Sequence, residues 1–255
     1  MNRMKDFDGL HALVTGGSRG IGAAIAAALT RGGARVTIMG RKEADLTAQV
    51  AGGNAAACAV ADLADPAAFE KIVTAITEKA PIDILVNNAG MALSAPFLKT
   101  KGADFEMLFR VNVLGAVIAS RAVLPGMMAR KFGRIVNIAS TAALKGYPYV
   151  SAYATSKHAL LGFTRSLAQE QARTGVTVNA VCPGFTDTDM VDQAIDRIVA
   201  KTGRDADSAR AEIVKTSPMG RLIAPAEVAD AVCFLARRES GGITGTAITV
   251  AGGEA

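Results

Sequence analysis

Short apolar runs, each followed by a stretch of helical length, constrain this chain more than anything else in it. Seven such runs lie at residues 11–14, 35–39, 56–60, 82–86, 134–138, 177–181 and 247–250. Several are apolar throughout rather than alternating, the pattern of parallel strands covered on both faces. Helical stretches lie between them at 21–31, 42–50, 66–79, 103–131, 152–174 and 225–237. Asp65-Pro66 predicts an N-cap followed by proline in the first helical position, and Pro225 opens its helix in the same way. Parallel strands need crossovers, and crossovers are right-handed. The alternation therefore predicts a doubly wound parallel sheet of seven strands with helices on both faces. No linker or composition shift divides the chain, so residues 1–255 read as one α/β domain. The irregular stretch at about 184–223 is predicted to be a lid or binding loop, because an insertion this long in a compact domain is usually functional.

Half the residues are hydrophobic and 20% are charged, which excludes a disordered chain. The first nine residues hold no apolar run of signal-peptide length. The longest apolar stretch, about 111–128, is interrupted by Asn112, Ser120, Arg121 and Pro125. It reads as a buried helix rather than a membrane span, and the expectation is a soluble, cytoplasmic protein with no membrane partner. Cys58, Cys182 and Cys233 make neither a disulfide framework nor a zinc spacing, and are expected to act as small buried apolar residues. With only His11 and His158 besides, no metal site is expected. The net charge of +5 is scattered, so no nucleic-acid partner is expected.

Directly after the first run stands Thr15-Gly16-Gly17-Ser18-Arg19-Gly20-Ile21-Gly22, and then a helix opens. Glycines at a strand-to-helix turn let the backbone approach a pyrophosphate seated at the positive helix N-terminus. The spacing is Gly-x-x-x-Gly-x-Gly rather than Gly-x-Gly-x-x-Gly. An acidic residue ending the second strand would grip the ribose 2′-hydroxyl of NAD. Here that strand ends Ile38-Met39-Gly40-Arg41-Lys42, with no carboxylate before Glu43. Arg41 can pair with a 2′-phosphate, and Arg19 can approach it from the other side. The favoured cofactor is NADP(H), with NAD(H) the alternative. Asp62 and Leu63 follow the third strand, where Asp62 can accept a hydrogen bond from an adenine amino group. Asn88, Ala89 and Gly90 follow the fourth, small enough for close backbone approach near a ribose.

Tyr153 and Lys157 stand four residues apart, on one face of a helix. A neighbouring cation favours the phenolate and lowers the tyrosine pKa, which makes the pair a candidate general acid or base.

Together, Thr15–Gly22, Asn87-Asn88-Ala89-Gly90, Asn112, Ser140, Tyr153-x-x-x-Lys157 and Pro183-Gly184 resemble the short-chain dehydrogenase/reductase family over nearly the whole chain. The resemblance implies a Rossmann fold and a role for each residue. Tyr153 would protonate the carbonyl oxygen, Ser140 would hydrogen-bond that oxygen, and Lys157 would hold the ribose and lower the Tyr153 pKa. Asn112 would hold a relay water. Pro183, Gly184, Thr186 and Thr188 would lie along the nicotinamide. The runs 133–140 and 174–185 resemble polyketide ketoreductases and 3-oxoacyl-(acyl-carrier-protein) reductases, and also acetoacetyl-CoA reductases and 3-hydroxyacyl-CoA dehydrogenases. The implied substrate is a small carbonyl compound such as a CoA or acyl-carrier-protein thioester, in a pocket of Met91, Leu93, Leu144, Tyr147, Met190 and Val191. Dehydrogenation of a secondary alcohol is the alternative, and a non-catalytic dinucleotide sensor the remoter one. The resemblance also implies a homotetramer built through helices 103–131 and 152–174, whose apolar faces include Phe109, Val113, Leu160, Phe163 and Leu167. One departure is Ala251, which stands before Gly252-Gly253 where relatives commonly have aspartate.

Overall fold

The computed structural model describes residues 5–215 and 217–254. Seven parallel strands run β1 (His11–Thr15), β2 (Arg35–Gly40), β3 (Ala57–Val60), β4 (Ile84–Asn87), β5 (Gly133–Ile138), β6 (Val176–Pro183) and β7 (Ala247–Val250). They lie side by side in the order β3-β2-β1-β4-β5-β6-β7. The order reverses between β1 and β4, and ligands of open α/β sheets bind beyond the strand C-termini at such a point.

The helices are α1 (Gly20–Arg31), α2 (Glu43–Ala51), α3 (Pro66–Lys79), α4 (Gly102–Phe109), α5 (Gly115–Ala129), α6 (Ser151–Gln171), α7 (Asp189–Thr202), α8 (Ala206–Val214) and α9 (Pro225–Ala236). Asp65 caps α3 by accepting the Ala68 N–H at 3.1 Å, with Pro66 in the first turn as predicted. Successive strand residues point to opposite faces. Ala12 and Val14 therefore pack with Ile25, Leu29, Val232 and Leu235 on one side. Leu13 packs with Phe69, Val73, Val123 and Met127 on the other. Burying a side chain of this size stabilises by roughly 1.5–3 kcal/mol, so each layer is held by its own apolar stripe.

The structure departs from the predicted elements in three places. The helix predicted over 103–131 is two helices, α4 and α5, joined by a π-helical turn at Arg110–Leu114. Its span Gly102–Ala129 is long and apolar enough to cross a membrane, but α5 packs its apolar side against α3 and the sheet. The stretch 184–223 is not an irregular loop, since it holds α7 and α8 with an apolar core of their own, Val191, Ile195, Ala209, Ile213 and Leu222. Asp205 caps α8 by accepting the Ser208 N–H at 2.8 Å. Finally, the cysteines are not alike: Cys182 is buried, Cys233 is half-buried and Cys58 is exposed on the edge strand β3.

Candidate active site

The turn after β1 is bound to the turn after β4. Thr15 Oγ1 accepts the backbone N–H of both Asn88 and Ala89 at 3.0 Å. Asn88 Nδ2 donates to the carbonyls of Thr15 and Gly16, at 3.0 and 3.1 Å. This closeness is why the turn needs glycine. A Cβ on Gly16 would lie 2.9 Å from Ala89 Cα, and one on Gly22 would lie 2.1 Å from the Gly16 carbonyl oxygen. The result is bare backbone at the N-terminus of α1, where the unpaired N–H groups and the helix dipole favour an anion. The Ile21 side chain packs into the core, so only its backbone faces this turn. The Ser18 carbonyl is held by Gln49 Nε2 at 3.2 Å. The cradle thus fits a dinucleotide pyrophosphate.

Arg41, beyond β2, is exposed and has no ion-pair partner among the described residues. Arg19 instead pairs with Asp189 at the start of α7, at 2.8 Å. Thr188 stands beside that pair, its Cγ2 3.1 Å from where a Gly20 Cβ would lie, and its hydroxyl donates to the Thr186 carbonyl at 3.2 Å. Thr186 is buried and donates to the Gly184 carbonyl at 3.1 Å. Asp62 is exposed and accepts the Ala64 N–H at 2.9 Å. Leu63 is buried against Gly115, so only its backbone can meet a ligand.

Asn112 sits in the π-helical turn, which re-aims its side chain into the molecule. Its Oδ1 accepts the Met91 N–H at 2.8 Å, and its Nδ2 donates to the Met91 carbonyl at 2.9 Å and to Ser156 Oγ at 3.0 Å. That links the loop after β4 to α6. A Cβ on Gly90 would lie 3.1 Å from Asn112 Oδ1 and 3.6 Å from Lys157 Nζ. Ser140 follows β5 and accepts the Ala142 N–H at 3.1 Å, capping a short 3-10 turn. Its hydroxyl is also within hydrogen-bonding reach of the Tyr153 phenol. Lys157 is buried and donates to the Ile138 carbonyl at 2.8 Å, with its Nζ 5.8 Å from the Tyr153 ring centroid. Asn112, Ser140, Tyr153 and Lys157 therefore meet at the C-terminal edge of the sheet, beside the glycine turn.

The electrostatics differ from the sequence expectation. Burial pushes the Tyr153 phenol up, and the hydrogen bond from Ser140 only partly offsets it. Burial likewise pushes Lys157 down, to about 8. Lys157 is not what sets the Tyr153 pKa here, because desolvation opposes charge on both groups. The protonated phenol is the form a general acid requires, and tyrosine already has it at neutral pH without any shift.

The pocket residues fall into two groups. Met91, Leu144 and Met190 are exposed, and Leu93 and Tyr147 are half-buried. Val191 is a correction: it is buried in the small core of α7 and α8. Sequence reasoning also missed Glu254. The Tyr147 hydroxyl donates to its Oε1 at 2.5 Å. A residue so near a chain end carries no pattern that could have pointed to it. Of the apolar residues on the two long helices, Val113, Leu160 and Leu167 are buried within this chain and Phe163 packs beside them, while Phe109 is 49% exposed.

A parallel doubly wound sheet with a glycine-lined turn and a Ser, Tyr, Lys site at its C-terminal edge defines a dinucleotide-dependent oxidoreductase. The family model for short chain dehydrogenases matches residues 10–198, and the chain belongs to the short-chain dehydrogenase/reductase family. It is 40% identical to the short-chain reductase protein NovJ of Streptomyces niveus, over 95% of this chain and 92% of that one. It is 38% identical to the 3-oxoacyl-(acyl-carrier-protein) reductase of Escherichia coli, over 97% and 98% of the two chains. Among solved structures it is similar to a variant of actinorhodin polyketide ketoreductase with NADPH, with a TM-score of 0.91, 34% identity and coverage of 96% and 97%. The protein is an NAD(P)-dependent oxidoreductase of the carbonyl and CH–OH interconversion, of the ketone-reducing kind.

Proposed function

We propose that this protein uses NADPH to reduce a 3-oxoacyl thioester, or a closely related ketone, to the secondary alcohol. The observation that carries this reading is the meeting of Ser140, Tyr153 and Lys157 at one sheet edge beside the loop after β4. When bound, the dinucleotide supplies the hydride. Ser140 donates a hydrogen bond to the ketone oxygen and steadies the charge that develops there. Tyr153 gives that oxygen its proton. Lys157 holds the ribose and, with Asn112 and a water, returns a proton from solvent. Gly16, Ser18, Gly20, Ile21 and Gly22 offer backbone to the pyrophosphate, and Arg41 reads the 2′-phosphate. Asp62 and Leu63 meet the adenine, Asn88, Ala89 and Gly90 the adjoining ribose, and Pro183, Gly184, Thr186 and Thr188 the nicotinamide. Residues 184–223, with α7 and α8, act as the lid. The names of similar proteins support the substrate class: one is a 3-oxoacyl-(acyl-carrier-protein) reductase and another a polyketide ketoreductase. The enzyme is proposed to work in the cytoplasm as a homotetramer.

The test is NADPH oxidation with acetoacetyl-CoA and a panel of 3-oxo esters, with NADH alongside. Turnover with NADPH is expected. Absence of turnover with every 3-oxoacyl compound would overturn the substrate class. In Tyr153→Phe, NADPH binding is expected to survive while turnover collapses, and unchanged turnover would overturn the role of Tyr153.

A further inference from the structure

A hydrogen-bonded line runs from the loop after β4 to the backbone of Tyr153. It begins at Met91, whose N–H and carbonyl both bind the Asn112 amide, at 2.8 and 2.9 Å. That amide also donates to Ser156 Oγ at 3.0 Å. The Ser156 hydroxyl in turn donates to the Tyr153 carbonyl at 2.7 Å. Ser156 is 2% exposed, and it stands between Tyr153 and Lys157 in the first two turns of α6.

Valence makes this line directional. An amide nitrogen has two N–H groups and a hydroxyl has one. Asn112 uses both of its own, on Met91 and on Ser156. The Ser156 oxygen accepts from Asn112, so its single hydrogen goes to Tyr153. A serine that bonds back to an earlier carbonyl of its own helix signifies little by itself. Here the same hydroxyl also receives the only hydrogen bond that joins Asn112 to α6 among the described residues. Lys157, next in sequence, is fixed at its far end by the Ile138 carbonyl at 2.8 Å. A Cβ on Gly90 would lie 3.1 Å from Asn112 Oδ1 and 3.6 Å from Lys157 Nζ, so the loop after β4 lies against both.

We infer that Ser156 is a positioning residue of the reaction: its two hydrogen bonds fix the Tyr153 backbone, and with it the phenol, relative to Asn112 and the loop after β4. The inference rests on Tyr153 as the acid of the proposed ketone reduction and adds the residue that holds it in place. Ser156 acts through Tyr153 and Asn112. A reacting group misplaced by about 1 Å can cost on the order of a hundredfold in rate, so the loss of the hydroxyl falls on kcat. It also leaves one Asn112 N–H buried without an acceptor, which drives that side chain toward another partner.

The test compares Ser156→Ala and Ser156→Thr with wild type, using NADPH and acetoacetyl-CoA. Ser156→Ala is expected to lower kcat about tenfold or more, with KM for the ketone little changed. Ser156→Thr keeps the hydroxyl, and Ser156 borders a cavity of about 270 Å³ between α4 and α6 that has room for one more methyl. The threonine variant should therefore regain most of the rate. Asn112→Ala combined with Ser156→Ala should be no slower than Asn112→Ala alone, because one line is cut in two places. An unchanged kcat in Ser156→Ala overturns the inference. So does a threonine variant as slow as the alanine one. So do losses that multiply in the double variant, which would mean that Ser156 does not act through Asn112. If wild type turns over no 3-oxo compound, the ketone reading fails instead. The positioning is then read by carbon-13 NMR of tyrosine-labelled protein, in which Tyr147, Tyr149 and Tyr153 are the only tyrosines. A Tyr153 signal that moves in Ser156→Ala and returns in Ser156→Thr supports it, and one that stays in place overturns it.

Discussion

Lys157→Met should make the protein more stable while making it inactive. Lys157 is 5% exposed and its ammonium is held by one neutral carbonyl, that of Ile138. Desolvation lowers its pKa from 10.5 to about 8. At 1.36 kcal/mol per pKa unit, keeping the cation in that site at pH 7 costs roughly 3 kcal/mol. Methionine has similar length and no charge, but it leaves the Ile138 carbonyl without its donor, a loss of about 1–3 kcal/mol. The net gain at pH 7 is therefore on the order of 1 kcal/mol, and the decisive observable is its pH dependence. Between about pH 8 and 10.5 the unfolded chain binds a proton at Lys157 that the folded chain has lost, so wild-type stability rises with pH. The methionine variant has no such group. Urea unfolding of both proteins from pH 7 to 10.5 should show the wild type gaining on the variant by roughly 3 kcal/mol. Alkaline titrations remote from this site cancel in that difference; that of Cys182, which is coupled to Lys157, does not. A difference that stays flat over the window would refute the argument that Lys157 is held against its solvation.

The remaining predictions follow from single contacts. Gly22→Ala should abolish dinucleotide binding in a fluorescence titration, because its Cβ would lie 2.1 Å from the Gly16 carbonyl oxygen; normal affinity would mean the turn can open. Arg41→Asp should weaken NADPH selectively, and equal loss for NADH would show that Arg41 does not read the 2′-phosphate. His11 is buried, with Nδ1 3.1 Å from the Pro81 carbonyl and Nε2 2.9 Å from Thr37 Oγ1, and desolvation holds its pKa below 6.5. Its contribution is therefore present above pH 6.5 and lost as pH falls below it, so thermal unfolding should show wild type losing ground to His11→Gln in that range.

The fold was legible because its signals are local. Short apolar runs such as Ile84-Leu85-Val86, too short for a helix, read as strands buried on both faces, and Pro66 after Asp65 fixes a helix start. The site was legible for a related reason. Ser140 follows β5, and Tyr153 and Lys157 lie in the first two turns of α6, which the topology brings to one sheet edge, so chain order carried the geometry. What escaped has no local pattern. The π-helical turn at Asn112 has helical neighbours on both sides, and its composition does not set it apart. The core of α7 and α8 is spread over Val191, Ile195, Ala209, Ile213 and Leu222, too sparse to read as periodic. The sign of the Tyr153 shift was misjudged because spacing reveals a neighbouring charge but not the burial that outweighs it.

Arg19 shows how a magnitude decides what a contact means. The sequence offers it to a 2′-phosphate, and the structure pairs it with Asp189 at 2.8 Å across 170 positions of chain. Both side chains are more than half exposed, at 53% and 58%. An exposed pair of this kind is worth about 0–1 kcal/mol, whereas a doubly charged phosphate gives a guanidinium a stronger, bidentate partner. The pair therefore cannot withhold Arg19 from a phosphate. What it does is geometric: with Thr188 against Gly20, it rests the start of α7 on the glycine turn. A ligand that draws Arg19 away releases one contact between the start of α7 and the glycine turn. The residue that can bind phosphate without disturbing α7 is Arg41, whose guanidinium has no ion-pair partner among the described residues.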